Sequence, residues 1–321
     1  MDALSMLLEN VHLCETKYYS LKGSGDWSYS ITKKDTILFY LVMSGSFCIN
    51  VDEASRKAYA GDMIMIPNAH RHVCYALDYN GDNAQPLDDT LSNCEEHLIE
   101  LNNTGFNNTD FNTVSEPNSC LILIECKYDK ELIRPLLSAL PMILPEHEDQ
   151  PESRFEILEV GIKLLRLESE HERMGKTAVI NHWASIMMIE CLRTYIESLP
   201  EADDSWLKAL KDPYLAKALA VMHDSPNQNW TIHKLAEVAG MSRSSFAQRF
   251  KDVVGIPPLT YLIDYRLRLA SRYLRLQQNS ISRISELVGY ASDSTFSQAF
   301  KRVYGVSPKV YRQQYQKELA V

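Results

Sequence analysis

Hydrophobic positions along the chain change their period twice. Between residues 37 and 77 they come in short runs broken by turn residues. ILFYLVMSGSFCINV (37–51) holds two apolar stretches separated by Ser44-Gly45-Ser46, a hairpin signal. AYAGDMIMIPNAHRHVCYAL (58–77) adds a turn at Gly61-Asp62, a short strand at MIMI and a stop at Pro67-Asn68. Short strands punctuated by turns predict a small β-barrel or sandwich. Residues 78–119 lose this pattern; they contain nine Asn and read as a long polar insertion on a β-domain loop. The strand signal returns at SCLILIECKYD (119–129).

From residue 152 the spacing becomes helical. Glu152–His171 sets Phe155, Leu158, Ile162 and Leu165 on one stripe, after a solvated link at EHEDQPE (146–152). Thr177–Leu199 does the same with Ile180, Trp183, Met187, Cys191 and Tyr195. Such stripes either pack on the β domain or pair across a two-fold axis as a dimer interface. LPEADDSWLKALKDP (199–213) is the expected domain boundary, with Pro213 suited to the first turn of a new helix. The expected division is therefore residues 1–205 and residues 206–321.

The last hundred residues contain an internal repeat. Leu235, Val238 and Gly240 match Ile284, Leu287 and Gly289 at an offset of 49. Phe246, Phe250, Gly255, Pro258 and Tyr261 match Phe296, Phe300, Gly305, Pro308 and Tyr311 at an offset of 50, so one residue is inserted in the turn. Each copy reads as helix, tight turn, helix. Gly240 or Gly289 ends the first helix, and Ser242 or Ser292 can cap the second. The paired Phe residues lie four apart and face inward. The opposite face carries Arg243, Ser244, Ala247, Gln248 and Lys251 in one copy and Asp293, Ser294, Thr295, Gln298, Lys301 and Arg302 in the other. A buried aromatic side that fixes the helix and a polar side free to enter a major groove are what a helix-turn-helix needs. Gln suits adenine, Arg suits guanine, and Ser or Thr can bond to bases or phosphates. Asp293 can accept from cytosine or cap its own helix. Between the copies, Pro257–Leu276 predicts one long helix carrying Arg266, Arg268, Arg272 and Arg275, which would set their spacing.

Charge supports this division. The 321 residues carry a net charge of −9, but unevenly. Residues 212–321 hold 15 Lys and Arg against 8 Asp and Glu, a net +7. The preceding residues hold 18 against 34, a net −16. A basic region joined to an acidic one points to a polyanion-binding module and argues against non-specific binding by the whole surface. With 45% hydrophobic residues the chain is too apolar to be mostly disordered. No apolar run reaches the roughly 18–20 residues of a membrane span. The start, MDALSMLLENVHLCE, lacks a basic signal-peptide region, so a cytoplasmic protein without membrane association is expected.

LAEVAGMSRSSFAQRFKDVVGIPPLTYL (235–262) followed by VGYASDSTFSQAFKRVYGVSPKVYR (288–312) resembles the DNA-binding domain of AraC/XylS-type transcriptional regulators. MDALS, LVMSGSFCINV, AGDMIMIPNAHRH, PLLSALP and WLKALKDP are similar to the cupin-like sensor domain of the same regulators. The resemblance implies an α+β protein: an N-terminal cupin-like β-barrel with appended, often dimerising helices, then an all-α domain of two helix-turn-helix units. It implies recognition helices in successive major grooves of double-stranded DNA. Arg243, Ser244, Ala247 and Gln248, then Asp293, Ser294, Thr295 and Gln298, are the contact candidates. The expected partners are DNA, a small-molecule effector in the barrel, a second copy of the chain and RNA polymerase. No cofactor and no enzymatic activity are implied.

Three features of the N-terminal region bear on its input. Tyr40, His70 and His72 are effector-site candidates. His70 and His72 form an HxH pair, which on a strand would point to one face as two metal ligands. The strand region Leu38–Val51 supplies no further His, while Glu95, Glu96 and His97 in the insertion would be needed to complete a site. A cupin-type metalloenzyme carrying a DNA-binding domain is therefore the rival reading, and it lacks ligands. The seven Cys all precede the basic region; Cys94 and Cys120 flank polar stretches and are the candidates for a thiol-based redox sensor. Cys48, Cys74, Cys126 and Cys191 sit in apolar runs and are expected to be buried.

Overall fold

The structure is a computed structural model. It describes residues 2–318 apart from 10, 12, 34, 69, 80, 82, 94–97, 103–104, 108–117, 145–159, 162, 165–166, 169–172, 201–202 and 277. The link at 146–152, all four stripe residues expected over Glu152–His171 (Phe155, Leu158, Ile162 and Leu165), and Glu95, Glu96 and His97 lie outside the described residues. The chain divides into two compact units. One comprises Leu13–Tyr128 and Leu140–Tyr195; the other comprises Met1–His12, Asp129–Ala139 and Ile196–Val321.

The first unit is built on two sheets. Strands β1 (Leu13–Gly23), β3 (Thr36–Ser44), β6 (Met63–Ile66), β9 (Leu98–Asn102), β10 (Gly105–Asn107) and β11 (Ser119–Tyr128) form one, in the order β10-β9-β1-β11-β3-β6. Strands β2 (Ser28–Ile31), β4 (Ser46–Val51), β5 (Ala54–Tyr59), β7 (His72–Ala76) and β8 (Gln85–Pro86) form the other, in the order β5-β4-β7-β2-β8. Alternate residues of both sheets enter one core, as a period of two requires. Tyr19, Leu38, Tyr40, Val42, Leu121 and Leu123 come from the first sheet, and Tyr29, Ile31, Phe47, Ile49 and Cys74 from the second.

Two sequence expectations change here. Ser44-Gly45-Ser46 is not a hairpin turn, because β3 and β4 lie in different sheets. Gly45 is the corner where the chain crosses between them, at φ +74°, and a Cβ there would fall 1.9 Å from the Asn118 carbonyl oxygen. The hairpin follows instead at Asp52-Glu53, between β4 and β5. The Asn-rich insertion also contains regular structure. Helix α2 (Asp88–Asn93) and strand β9 form within it, and β9 pairs in parallel with β1. Leu87, Leu91, Leu98, Ile99 and Leu101 are buried, an apolar set masked by the Asn around it.

After β11 come helices α3 (Lys130–Leu137) and α4 (Lys176–Ser198). Ile180, Trp183, Met187, Cys191 and Tyr195 of α4 are all buried within the single chain, so that stripe is packing rather than an open pairing face. Asn181 Oδ1 accepts from the Thr16 backbone N–H at 3.2 Å, tying α4 to β1.

The second unit is helical. Helix α1 (Ala3–Leu8) and the 3₁₀ turn Trp206–Leu210 belong to it, with α5 (Leu215–Asp224), α6 (Ile232–Ala239), α7 (Arg243–Val254), α8 (Pro258–Leu276), α9 (Ile281–Leu287), α10 (Asp293–Tyr304) and α11 (Pro308–Glu318). Its apolar residues form two cores. Leu215, Leu219, Met222, Leu235, Phe246 and Phe250 make one; Ile284, Val288, Phe296 and Phe300 make the other. The long helix α8 feeds both: Tyr261 and Leu262 enter the first, and Leu267, Leu269, Ala270 and Leu274 the second. Among the described residues, no helix is long and apolar enough to cross a membrane.

Candidate nucleic-acid interface

The two halves of the helical unit repeat one local design. In the first, α6 ends at Gly240 in the left-handed region, φ +69°, where a side chain would be strained. Ser242 then caps α7, its hydroxyl accepting from the Ser245 N–H at 3.2 Å. In the second, α9 is followed by Gly289 at φ +80°, and Ser292 caps α10 by accepting from the Thr295 N–H at 3.3 Å. Gly255 and Gly305 close α7 and α10, both in the left-handed region. Within each capped helix a Phe pair is fully buried, with ring centroids 5.7 Å apart in both copies.

The buried pairs leave the candidate residues outside. Arg243, Ser244, Gln248 and Lys251 are exposed and Ala247 is half-buried on α7. Asp293, Ser294, Thr295, Gln298, Lys301 and Arg302 are exposed on α10. Some are engaged locally. Gln248 Nε2 donates to Asp252 Oδ1 at 2.7 Å, which fixes the plane of its amide. Ser244 lies 3.3 Å from the Ser242 hydroxyl, and Ser294 lies 3.1 Å from that of Ser292. Asp293 is the first residue of α10 rather than its cap, a place where its charge meets the positive end of the helix dipole.

Two arginines of α8 have structural roles that their spacing did not reveal. Arg266 donates to the carbonyls of Pro226 and Gln228, at 2.7 and 2.8 Å, and so clamps the loop before α6. Arg275 pairs with Asp129. On α7, Arg249 is held by Asp212, with its guanidinium near the Tyr214 ring. These cations hold the fold, and a signal for them would need pairing information across 37 to 146 residues.

In the β unit, Tyr40 and His72 come together and His70 does not join them. Strand β7 begins at His72, so His70 precedes it and the pair does not present two ligands from one strand face. His72 is buried. Its Nδ1–H donates to the His70 carbonyl at 2.7 Å, which leaves Nε2 to accept from the Tyr40 hydroxyl at 2.6 Å. Both ring nitrogens are therefore in use. His70 lines an open surface cleft of about 370 Å³ with Thr32, Lys33, Asp35, Asn68, Arg71 and Tyr128. Among the described residues no group of three or more His, Cys, Asp or Glu could hold a metal ion. Cys48, Cys74, Cys126 and Cys191 are buried and outside any disulfide, and burial pushes Cys74 up to about 12, far from a reactive thiolate. Cys120 is half-buried, and Cys94 lies outside the described residues.

Comparison with known proteins bears on both units. A helix-turn-helix domain family model matches residues 235–314, and a cupin family model matches residues 2–197. The chain is 34% identical over 294 residues to the HTH-type transcriptional regulator AlkR of Acinetobacter baylyi, covering 91% of this chain and 93% of that protein. It is 40% identical over 158 residues to an AraC-like transcription regulator of Streptomyces lividans, covering 49% and 51% of the two chains. The chain belongs to the AraC-type transcriptional regulators. Among solved structures, the DNA-binding domain of AdpA in complex with a target DNA is 30% identical, with a TM-score of 0.32, over 33% of this chain and 96% of that one. This AraC-type chain is thus a DNA-binding transcription regulator with a cupin-like N-terminal domain and a C-terminal helix-turn-helix region.

The regulator carries two buried neutral histidines, one in each unit. Burial pushes His72 down to about 4, against the opposing hydrogen bond to the His70 carbonyl. Burial and the nearby Arg268 push His223 down to about 3, with its Nε2 2.8 Å from the Tyr261 hydroxyl. Both folded values lie below the ordinary 6.5, so the unfolded chain binds more protons and stability rises with pH across that gap. The stabilising effect of neutrality is complete above about pH 6.5 and falls as pH drops toward 4. At pH 5 the loss is about 2 kcal/mol for each histidine. Denaturant unfolding at pH 7.5 and pH 5 should show it, and His72→Gln should flatten the change in the β unit. An unchanged midpoint between the two pH values would contradict the buried neutral state.

Proposed function

We propose that this regulator reads an operator through two helices, α7 and α10, and that a small molecule held by its cupin-like region controls the reading. The observation that carries the DNA half is the matched pair of capped helices, each pinned by buried Phe and each turning a polar face outward. Arg243, Ser244, Ala247 and Gln248 would contact one half-site and Asp293, Ser294, Thr295 and Gln298 the other. Lys251, Lys301 and Arg302 would neutralise phosphates. Residues 1–205 act as input and residues 206–321 as output. The protein works in the cytoplasm, pairs with a second copy, engages RNA polymerase at its promoters and catalyses no reaction.

The effector reading is supported by the core of the β unit. Among the described residues, Ser24 Oγ, Trp27 Nε1, Tyr29 OH and Ser119 Oγ are buried there without a hydrogen-bond partner. The Tyr29 hydroxyl lies beside Tyr40 and Cys74 without forming a well-aligned bond. Unpaired polar groups in an apolar interior are costly, and a largely apolar ligand with one or two hydrogen-bonding groups would relieve that cost. Native mass spectrometry of the full chain should show a co-purified small-molecule mass that heating removes.

The test of the DNA reading is fluorescence anisotropy with operator DNA over a range of salt. Gln298→Ala should lose about 1–3 kcal/mol of discrimination at one position of one half-site. Arg302→Ala should weaken all sequences alike and make the salt slope shallower by about one. Equal binding of every operator variant by Gln298→Ala and by the parent would remove Gln298 from the readout.

A further inference from the structure

Helix α3 lies outside residues 206–321, yet it belongs to the helical unit and touches both of its halves. Its first end is held by charge. Asp129 caps α3, accepting from the Glu131 N–H at 3.1 Å. The same carboxylate accepts from Arg275 through both oxygens at 2.5 Å. The Arg275 side chain is only 6% exposed. Its second nitrogen donates to the Tyr311 hydroxyl at 3.1 Å, and its guanidinium lies 5.0 Å from the Tyr315 ring centre. Glu131 Oε2 accepts from the Tyr304 hydroxyl at 3.1 Å. Tyr304 is the last residue of α10 and stacks on Phe300, with centroids 4.4 Å apart. Tyr304, Tyr311 and Tyr315 belong to the second half, and Arg275 lies on the end of α8 that feeds the second core.

The other end of α3 holds the first half. The Pro135 carbonyl accepts from Trp206 Nε1 at 3.2 Å, and the Trp206 ring lies 6.5 Å from that of Tyr261, a member of the first core. Apart from α3, the halves are joined by α8 and also meet where Gly289 packs on the loop before α6, a Cβ there falling 2.7 Å from the Asn227 Cα. Helix α3 adds a further brace, from Trp206 at one end to Tyr304 at the other.

We propose that Asp129 and Glu131 are positioning residues for the second recognition helix, and that they determine which spacing between two DNA half-sites the regulator accepts. This rests on the reading that both helices bind DNA. Without the α3 brace, the second recognition helix has more freedom to tilt and follow a displaced half-site. A half braced through two carboxylates cannot, because moving α10 breaks the Tyr304–Glu131 hydrogen bond and moving the end of α8 that feeds the second core strips the buried Arg275 guanidinium of its counter-charge. The base contacts of each helix are untouched by these residues, so base preference and spacing preference are separable.

The experiment uses the full chain and an operator selected from random DNA, with the half-site spacing altered by one base pair in either direction. Each base pair turns the second site around the helix axis as well as moving it along. The parent should lose about tenfold in affinity at either altered spacing. Glu131→Ala, which leaves the Arg275 pair in place and removes the acceptor of the Tyr304 hydroxyl, and Asp129→Asn/Glu131→Ala should each reduce that penalty, the double variant to about threefold or less. Base preference within each half-site should stay that of the parent. Asp129→Glu, which keeps the carboxylate, should restore the parent's penalty in part. Equal spacing penalties in the parent and in the folded Glu131→Ala variant would overturn the proposal. If scrambling one half-site costs the parent nothing, the two-helix reading itself falls, a result distinct from an unchanged spacing penalty.

Discussion

Phe300→Ala is expected to destabilise the helical unit by about 3–5 kcal/mol and to abolish reading at the second half-site. Phe300 is fully buried and packs on Phe296 at 5.7 Å, Tyr304 at 4.4 Å and Tyr311 at 5.3 Å. Truncation removes its transfer free energy and leaves a cavity whose aromatic walls are fixed by other contacts. One such wall, Tyr304, is tied to Glu131, so the site cannot collapse freely. Against a typical domain stability of about 5–15 kcal/mol, that loss is large. Denaturant unfolding followed by far-ultraviolet circular dichroism, which is dominated here by helices, reads the effect. Binding to an operator with its second half-site scrambled should change little between Phe300→Ala and the parent at low denaturant. A midpoint like the parent's would contradict the packing described here.

Gly45→Ala is the corresponding prediction for the β unit, with an expected loss of about 2–4 kcal/mol. Two costs combine. The residue sits at φ +74°, which an L side chain rarely adopts, and its Cβ would fall 1.9 Å from the backbone oxygen of Asn118. That oxygen belongs to the segment leading directly into β11, the strand between β1 and β3, so relief requires backbone movement in the middle of a sheet. The change should lower the transition of the β unit and leave the helical transition in place, the reverse of Phe300→Ala. Differential scanning calorimetry of the two variants side by side would show which transition moves. Loss of the same transition in both would contradict two separately packed units.

Much of the helical unit was readable from local pattern. The Phe pairs, the Gly at each turn and the capping Ser repeat at fixed offsets, and each has a purely local cause: a buried face, a positive φ or an unsatisfied N–H. The long helix between the copies was read one residue from its observed start at Pro258. What depends on distant partners was not readable. Arg266 and Arg275 read as two of four arginines along one long basic helix, yet one clamps a loop and the other is buried against Asp129, 146 residues away. Spacing within α8 carries no record of either. The β unit was legible as strands but not as topology. Gly45 signals a turn equally well for a hairpin and for a crossing between sheets, and the difference lies in what Ser44 and Ser46 pair with. His70 and His72 share a face only if both are on the strand, and the strand starts at the second of them. In the insertion, Asn dominates the composition while a few alternating apolar residues decide that β9 joins the sheet.

The central claim is that two helices read two sites. Selection from a random DNA library by the full chain, repeated with Gln248→Ala and with Gln298→Ala, tests it directly. The account predicts two conserved blocks about 10–10.5 base pairs apart, centre to centre, as helices in successive major grooves require. Each variant should relax one block and leave the other intact. A single block, or two blocks that both variants leave unchanged, would contradict it.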